Sequence, residues 1–111
     1  MKLKTRIEGD VAVLEVSGSI LGGTDAQTFK DEIYKLVDKG IVNVVADLSK
    51  VVRMNSSGLG ILISNYTTLK NRNGNLKLAK VNKLMKGILV MTKLDTIFDN
   101  YETVERAIHS F

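Results

Sequence analysis

Apolar and polar positions alternate at the start of the chain. Leu3, Thr5 and Ile7 interleave with Lys4, Arg6 and Glu8, the period-two pattern of a half-buried strand. Gly9-Asp10 is a hairpin turn signal, and Val11–Val16 reads as the partner strand. Residues 18–23 form a glycine-rich loop, after which Thr24 or Asp25 is placed to cap a helix. Its apolar face is Ala26, Phe29, Ile33, Leu36 and Val37, and Gly40 ends it in the manner of a left-handed C-terminal residue. Ile41–Leu48 is the most continuous β-branched run, expected as a central strand covered on both faces.

A second helical period follows through Leu59, Leu62, Ile63, Tyr66 and Leu69, stopping near Asn73-Gly74. Leu76–Val81 reads as a further strand. Asn82 then caps a helix containing Leu84, Met85, Ile88, Leu89 and Met91. Thr96–Phe98 reads as a short strand and Tyr101–Ser110 as a last helix buried through Val104, Ala107 and Ile108. Strands alternating with helices after an opening hairpin predict one α/β domain over residues 1–111. The expected architecture is a mixed sheet of four or five strands with about four helices, mainly on one face.

Composition narrows the function classes. The chain has no Cys and a single His, His109, near its end, so disulfides and thiolate metal sites are excluded and a zinc site has no ligand set. Met1–Asp10 is charged throughout, so no basic-plus-apolar leader is read there, and no apolar run approaches the roughly 20 residues of a membrane span; a cytoplasmic protein without membrane insertion is expected. The net charge of +4 comes from scattered Lys and Arg, and aromatics are 5%. That is a solvated surface, not a nucleic-acid footprint, and no direct nucleic-acid partner is expected. The charge does favour steering of an acidic protein partner.

The richest candidate chemistry is the turn Asn55-Ser56-Ser57-Gly58 between the central strand and the second helix. Asn55 is a good N-cap, and Ser56 and Ser57 occupy the first helical positions, where backbone N–H groups lack intrahelical partners. A phosphate on Ser56 would carry roughly −1.5 to −2 charge against those donors and the positive helix end. The fold would tolerate it while the surface changed. On local chemistry alone the same residues read first as an ordinary capped helix with two small, exposed serines, because Ser-rich caps are common. Gly58 and Gly60 leave little bulk beside the turn, so a partner could approach closely.

Other chemistries lack parts. Gly58-Leu59-Gly60 has Ile63 where the third dinucleotide-binding glycine belongs, and no Gly-Lys-Ser/Thr is present, so no nucleotide cofactor is expected. Asp47, at the end of the central strand, is read as a turn carboxylate bonding the backbone of Ser49 or Lys50. Met54, Met85 and Met91 are read as core fillers. No nucleophile, base and orienting group can be assembled, so a non-enzymatic protein is expected.

Asp47-Leu-Ser followed by Met54-Asn-Ser-Ser-Gly-Leu-Gly resembles the hallmark segment of the STAS domain, specifically the bacterial anti-sigma factor antagonists. The likeness covers essentially the whole chain. The resemblance implies that Ser56 is the serine phosphorylated by an anti-sigma factor that is also a GHKL-type kinase, and that a PP2C-type phosphatase reverses it. It implies that Met54, Asn55, Ser57, Gly58 and Leu59 contact the partner, and that unphosphorylated protein sequesters the anti-sigma factor and frees a sigma factor. Two positions depart from the pattern: Asn55 stands where many relatives have Asp, and residues 18–23 lack the usual acidic residue. Both leave room for a constitutive interaction subunit of a signalling or lipid-transport complex, using the same surface without phosphorylation.

Overall fold

The computed structural model describes all residues, Met1–Phe111. Strands β1 (Lys2–Glu8) and β2 (Val11–Ile20) form the opening hairpin. Three units of helix and strand follow: α1 (Thr24–Asp38), β3 (Asn43–Met54), α2 (Ser56–Lys70), β4 (Asn75–Ala79), α3 (Lys83–Met91) and β5 (Asn100–Tyr101). A single 3-10 turn, Leu94–Thr96, separates α3 from β5, and α4 (Val104–His109) closes the chain. The five strands lie in sequence order, with β1 and β2 antiparallel and every later neighbour parallel.

Strand alternation divides the core between two faces. Ala12, Leu14, Val44, Ala46, Leu76 and Leu78 point one way, against Phe29 and Ile33 of α1, Leu62 and Leu69 of α2, and Met85 and Leu89 of α3. Val11, Val13, Val45 and Ala79 point the other way and are met by Val104 and Ala107 of α4. Three helices therefore cover one face and a short one the other, so β3 is apolar on both sides. Each β–α–β unit joins parallel neighbours through a crossover helix, the connection such a sheet requires.

Several boundaries differ from the pattern-based reading. The strands are longer at the end that matters: β2 runs through Gly18 to Ile20 and β3 runs past Leu48 to Met54, paired up to Ile20 with Met54. Two register irregularities, between Glu15 and Ser17 and between Gly18 and Ser19, disguise that extension as a loop. Helix α1 is capped by neither Thr24 nor Asp25: its N-cap is Gly23, with φ of 60°, a conformation natural to glycine, and no side-chain bond. Ala26 lies in the overhanging first turn and is exposed. Thr96–Phe98 is not a strand, because Lys93 in the left-handed region turns the chain into the 3-10 segment. The fifth strand is instead Asn100–Tyr101, fixed by the Leu78 and Lys80 N–H groups donating to the Asp99 and Tyr101 carbonyls at 2.9 and 3.0 Å. Residues 101–103 belong to that strand and to the cap at Thr103, so the final helix starts at Val104. Met54 and Met85 fill core, but Met91 is 85% exposed.

Candidate functional site

The extended ends of β2 and β3 carry the two following loops to one edge of the sheet. Asn55 joins them. Its Oδ1 accepts from the Gly58 N–H at 2.8 Å, capping α2, and its Nδ2 donates to the Leu21 carbonyl at 3.1 Å. One amide side chain therefore serves the helix and the neighbouring loop at once, which a carboxylate could not do. The same loop is tied at its other end, where Asp25 accepts from the Leu21 N–H at 3.2 Å. Asp25 also stands 3.7 Å from the chain's terminal ammonium.

Glycine sets the closeness of the two loops. A Cβ at Gly58 would overlap the carbonyl group of Ile20, and one at Gly22, where φ is +95°, would sit 2.8 Å from the Cβ of Ser57. Gly58 is thus buried against β2 instead of opening space for a partner; Gly60, with nothing near its Cβ direction, is the open one. Asn55, Ser56 and Ser57 are exposed, while Met54, Gly58 and Leu59 face inward. The outward surface of the turn is therefore three short polar side chains beside Leu21, itself 41% exposed. Ser56 is the first residue of α2, so its own N–H and that of Ser57 precede the first intrahelical donor, which is Leu59 to the Asn55 carbonyl at 2.9 Å.

Beside the turn an open cleft of ≈ 360 Å³ runs between α1 and α2, lined by Gln27, Lys30, Ser57, Ser64 and Asn65 among others. On the opposite side of the sheet end, Lys50 donates to Glu15 at 2.7 Å. That bond, and then the opposite charge of its partner, holds the Glu15 carboxyl below the usual carboxylate range and the Lys50 ammonium above the usual lysine range. Asp47 accepts from the Ser49 N–H at 3.0 Å, the bond expected of it, but it does so buried within β3 and not in a turn at the strand's end. His109 lies at the far C-terminus, and no group of three His, Asp or Glu converges anywhere.

The short polar turn and capped helix follow the central strand β3, and a family model describing the STAS domain matches residues 2–107. The chain belongs to the STAS domain family. It is similar to a candidate anti-sigma factor antagonist of Thermotoga maritima, 26% identical over 104 residues, 93% of this chain and 91% of that one. An anti-sigma factor antagonist from Mycobacterium paratuberculosis is 27% identical, with a TM-score of 0.82 over 98% of this chain and 92% of that one. SpoIIAA of Bacillus in its phosphorylated form shares the fold with a TM-score of 0.75 over 98% of each chain, at 16% identity. The STAS fold explains the mixed sheet and the three-plus-one distribution of helices. Within it, Leu21 and Gly22 are the site residues that pattern reading missed. Only the glycine pair 22–23 hinted at them, as positions free to pass close to another segment.

Proposed function

We propose that this STAS domain is an anti-sigma factor antagonist, that the Asn55–Ser57 turn with Leu21 is the face it presents to an anti-sigma factor, and that phosphorylation of Ser56 switches that face off. The observation that carries the reading is the place of Ser56. Its hydroxyl is exposed at the first position of α2, on a turn held rigid from both sides by Asn55. A kinase would transfer the γ-phosphoryl of ATP to Ser56 Oγ, the hydroxyl proton passing to a base of the kinase. The resulting dianion would sit against the unpaired N–H groups and positive end of α2, so the fold would keep its stability. A docked partner would meet roughly two new negative charges on a flush polar surface and be repelled.

In this reading Ser57 touches the partner beside Ser56, whereas Met54, Gly58 and Leu59 act from beneath by setting the height of the turn. The protein does no chemistry itself; its anti-sigma partner is a GHKL-type serine kinase, and a PP2C-type phosphatase resets it. Incubation with that kinase and ATP adds one phosphate, and Ser56→Ala abolishes labelling. Labelling of the Ser56→Ala variant at another residue overturns the assignment.

A second reading is a constitutive interaction subunit using the same turn. The observation favouring it is that Asn55, not Asp, stands before Ser56, with no carboxylate on the turn to meet a kinase. It predicts no modification in the native host, unchanged partner affinity for Ser56→Ala, and lost affinity for Ser56→Asp.

A further inference from the structure

Away from this turn, the least covered surface is the outer side of α3. Met85 and Leu89 face the core, yet Leu84 is 61% exposed, Val90 61% and Met91 85%. Ile97, from the following segment, is a further 43% exposed. At 100° per residue, Leu84, Gly87 and Met91 lie on one stripe, i, i+3 and i+7. Gly87, at its centre, is exposed and has nothing within 4 Å of its Cβ direction. Mid-helix glycine costs about 1 kcal/mol relative to alanine, and no neighbour within the chain requires it here. The result is a notch of bare backbone between two large apolar side chains. Residues 80–97 also carry Lys80, Lys83, Lys86 and Lys93 against one carboxylate, Asp95. All four lysines are exposed and none is in an ion pair.

We propose that the outer face of α3 is a second docking surface, taking an acidic amphipathic helix of another protein into the notch at Gly87. Three features select that occupant. Exposed apolar side chains flanking one another are the ordinary mark of a covered surface. The unpaired lysine rim matches acidic flanks, and two copies of this chain docked by the same face would oppose their own lysines. A lipid surface gains nothing from a missing side chain, whereas a packed helix gains close approach at a small residue.

The test replaces Met91 by the photo-crosslinking residue benzoylphenylalanine in the full chain, expressed in its native host, with the crosslinked peptide sequenced. The expected product is a peptide of another protein with apolar residues at helical spacing and net negative charge. Its yield should fall at least about tenfold with Gly87→Leu, which fills the notch. Gly87→Leu keeps the fold because the site is open and leucine is the better helix former; Leu84→Asp is the second variant and should abolish the product too. Sedimentation with phosphatidylglycerol vesicles should leave the protein in solution. Crosslinking to a second copy, vesicle binding that Gly87→Leu strengthens, a basic or non-helical crosslinked peptide, or no crosslink above that at an exposed control position such as Lys39 each overturns the proposal.

Discussion

Two glycines in α2 differ by two positions in sequence and should respond to the same substitution with opposite signs. At Gly58 the new methyl of alanine would overlap the Ile20 carbonyl and lie 3.1 Å from Ile20 Cγ2. The obstacle is backbone, so the end of β2 must move. Moving it strains the Asn55 N–H bond to Ile20 at 3.4 Å and the Asn55 side-chain bond to Leu21 at 3.1 Å. Overpacking of this kind costs typically 1–3 kcal/mol, offset by about 0.5–1 kcal/mol from replacing glycine in a helix. Because the obstacle is backbone that cannot rotate away, the cost lies at the upper end of that range, and a net loss of about 2 kcal/mol is expected for Gly58→Ala. At Gly60 the space is open, so Gly60→Ala should gain about 0.5–1 kcal/mol. Urea unfolding followed by far-UV circular dichroism separates the two: with a slope of roughly 1–3 kcal/mol per molar, the midpoints should move by about 1 M downward and a few tenths of a molar upward. Equal shifts of the same sign would refute the claim that close approach of β2 to the turn, and not helix propensity, fixes glycine at position 58.

Asn55→Ala removes both the cap and the donation to Leu21 and should cost about 2 kcal/mol. Asn55→Asp keeps the cap, gains the helix dipole and loses the donation, so it should fall between wild type and Asn55→Ala; equality with Asn55→Ala in urea would contradict the double role of the amide. The Glu15–Lys50 pair has a signed pH dependence. Because Glu15 is lowered when folded, its contribution is present above the unfolded carboxyl pKa and is lost as pH falls through the folded one. Because Lys50 is raised, its contribution is full below the unfolded lysine pKa and is lost as pH rises through the folded one. The stability difference between wild type and Glu15→Gln should therefore be flat through neutral pH and shrink at both extremes; a difference that grows in acid would be wrong in sign. Lys77 is buried under α4, its Nζ 2.9 Å from the Ser110 carbonyl, 2.8 Å from the Ser110 hydroxyl and 4.5 Å from the Phe111 ring centroid. Lys77→Met should cost about 2 kcal/mol and open residues 104–111 to limited proteolysis; unchanged cleavage kinetics would remove its role as the clasp of the C-terminus.

What was legible in the sequence was chemistry at short range. Asn55 and Asn82 cap α2 and α3 from their own side chains, accepting from Gly58 and Met85 at 2.8 Å each, so sequence spacing suffices to find them. The alternation in β1 and the apolar run in β3 record burial on one face and on two. What was not legible depends on contacts distant in the chain. The extensions of β2 and β3 exist because residues 15–20 pair with residues 47–54 across two irregularities, and Ser49 and Lys50 by themselves read as loop. Ile97-Phe98 carries strand-like side chains but follows a left-handed Lys93 that no local preference announces. Ala26 has the right spacing for burial and lacks a neighbour to bury it. The turn at Asn55 was found for its serines; that Leu21 and Gly22 share its surface required the fold, because their closeness is a property of Gly58 meeting Ile20.

The most direct test of the switch is intact-protein mass spectrometry with peptide mapping on the chain purified from its native host under phosphatase inhibition. A single phosphate on Ser56, absent after phosphatase treatment, is the expected result. Protein that stays unmodified across growth conditions, or carries its phosphate elsewhere, contradicts the phosphoserine switch; the unmodified outcome supports a constitutive docking module built on the same turn.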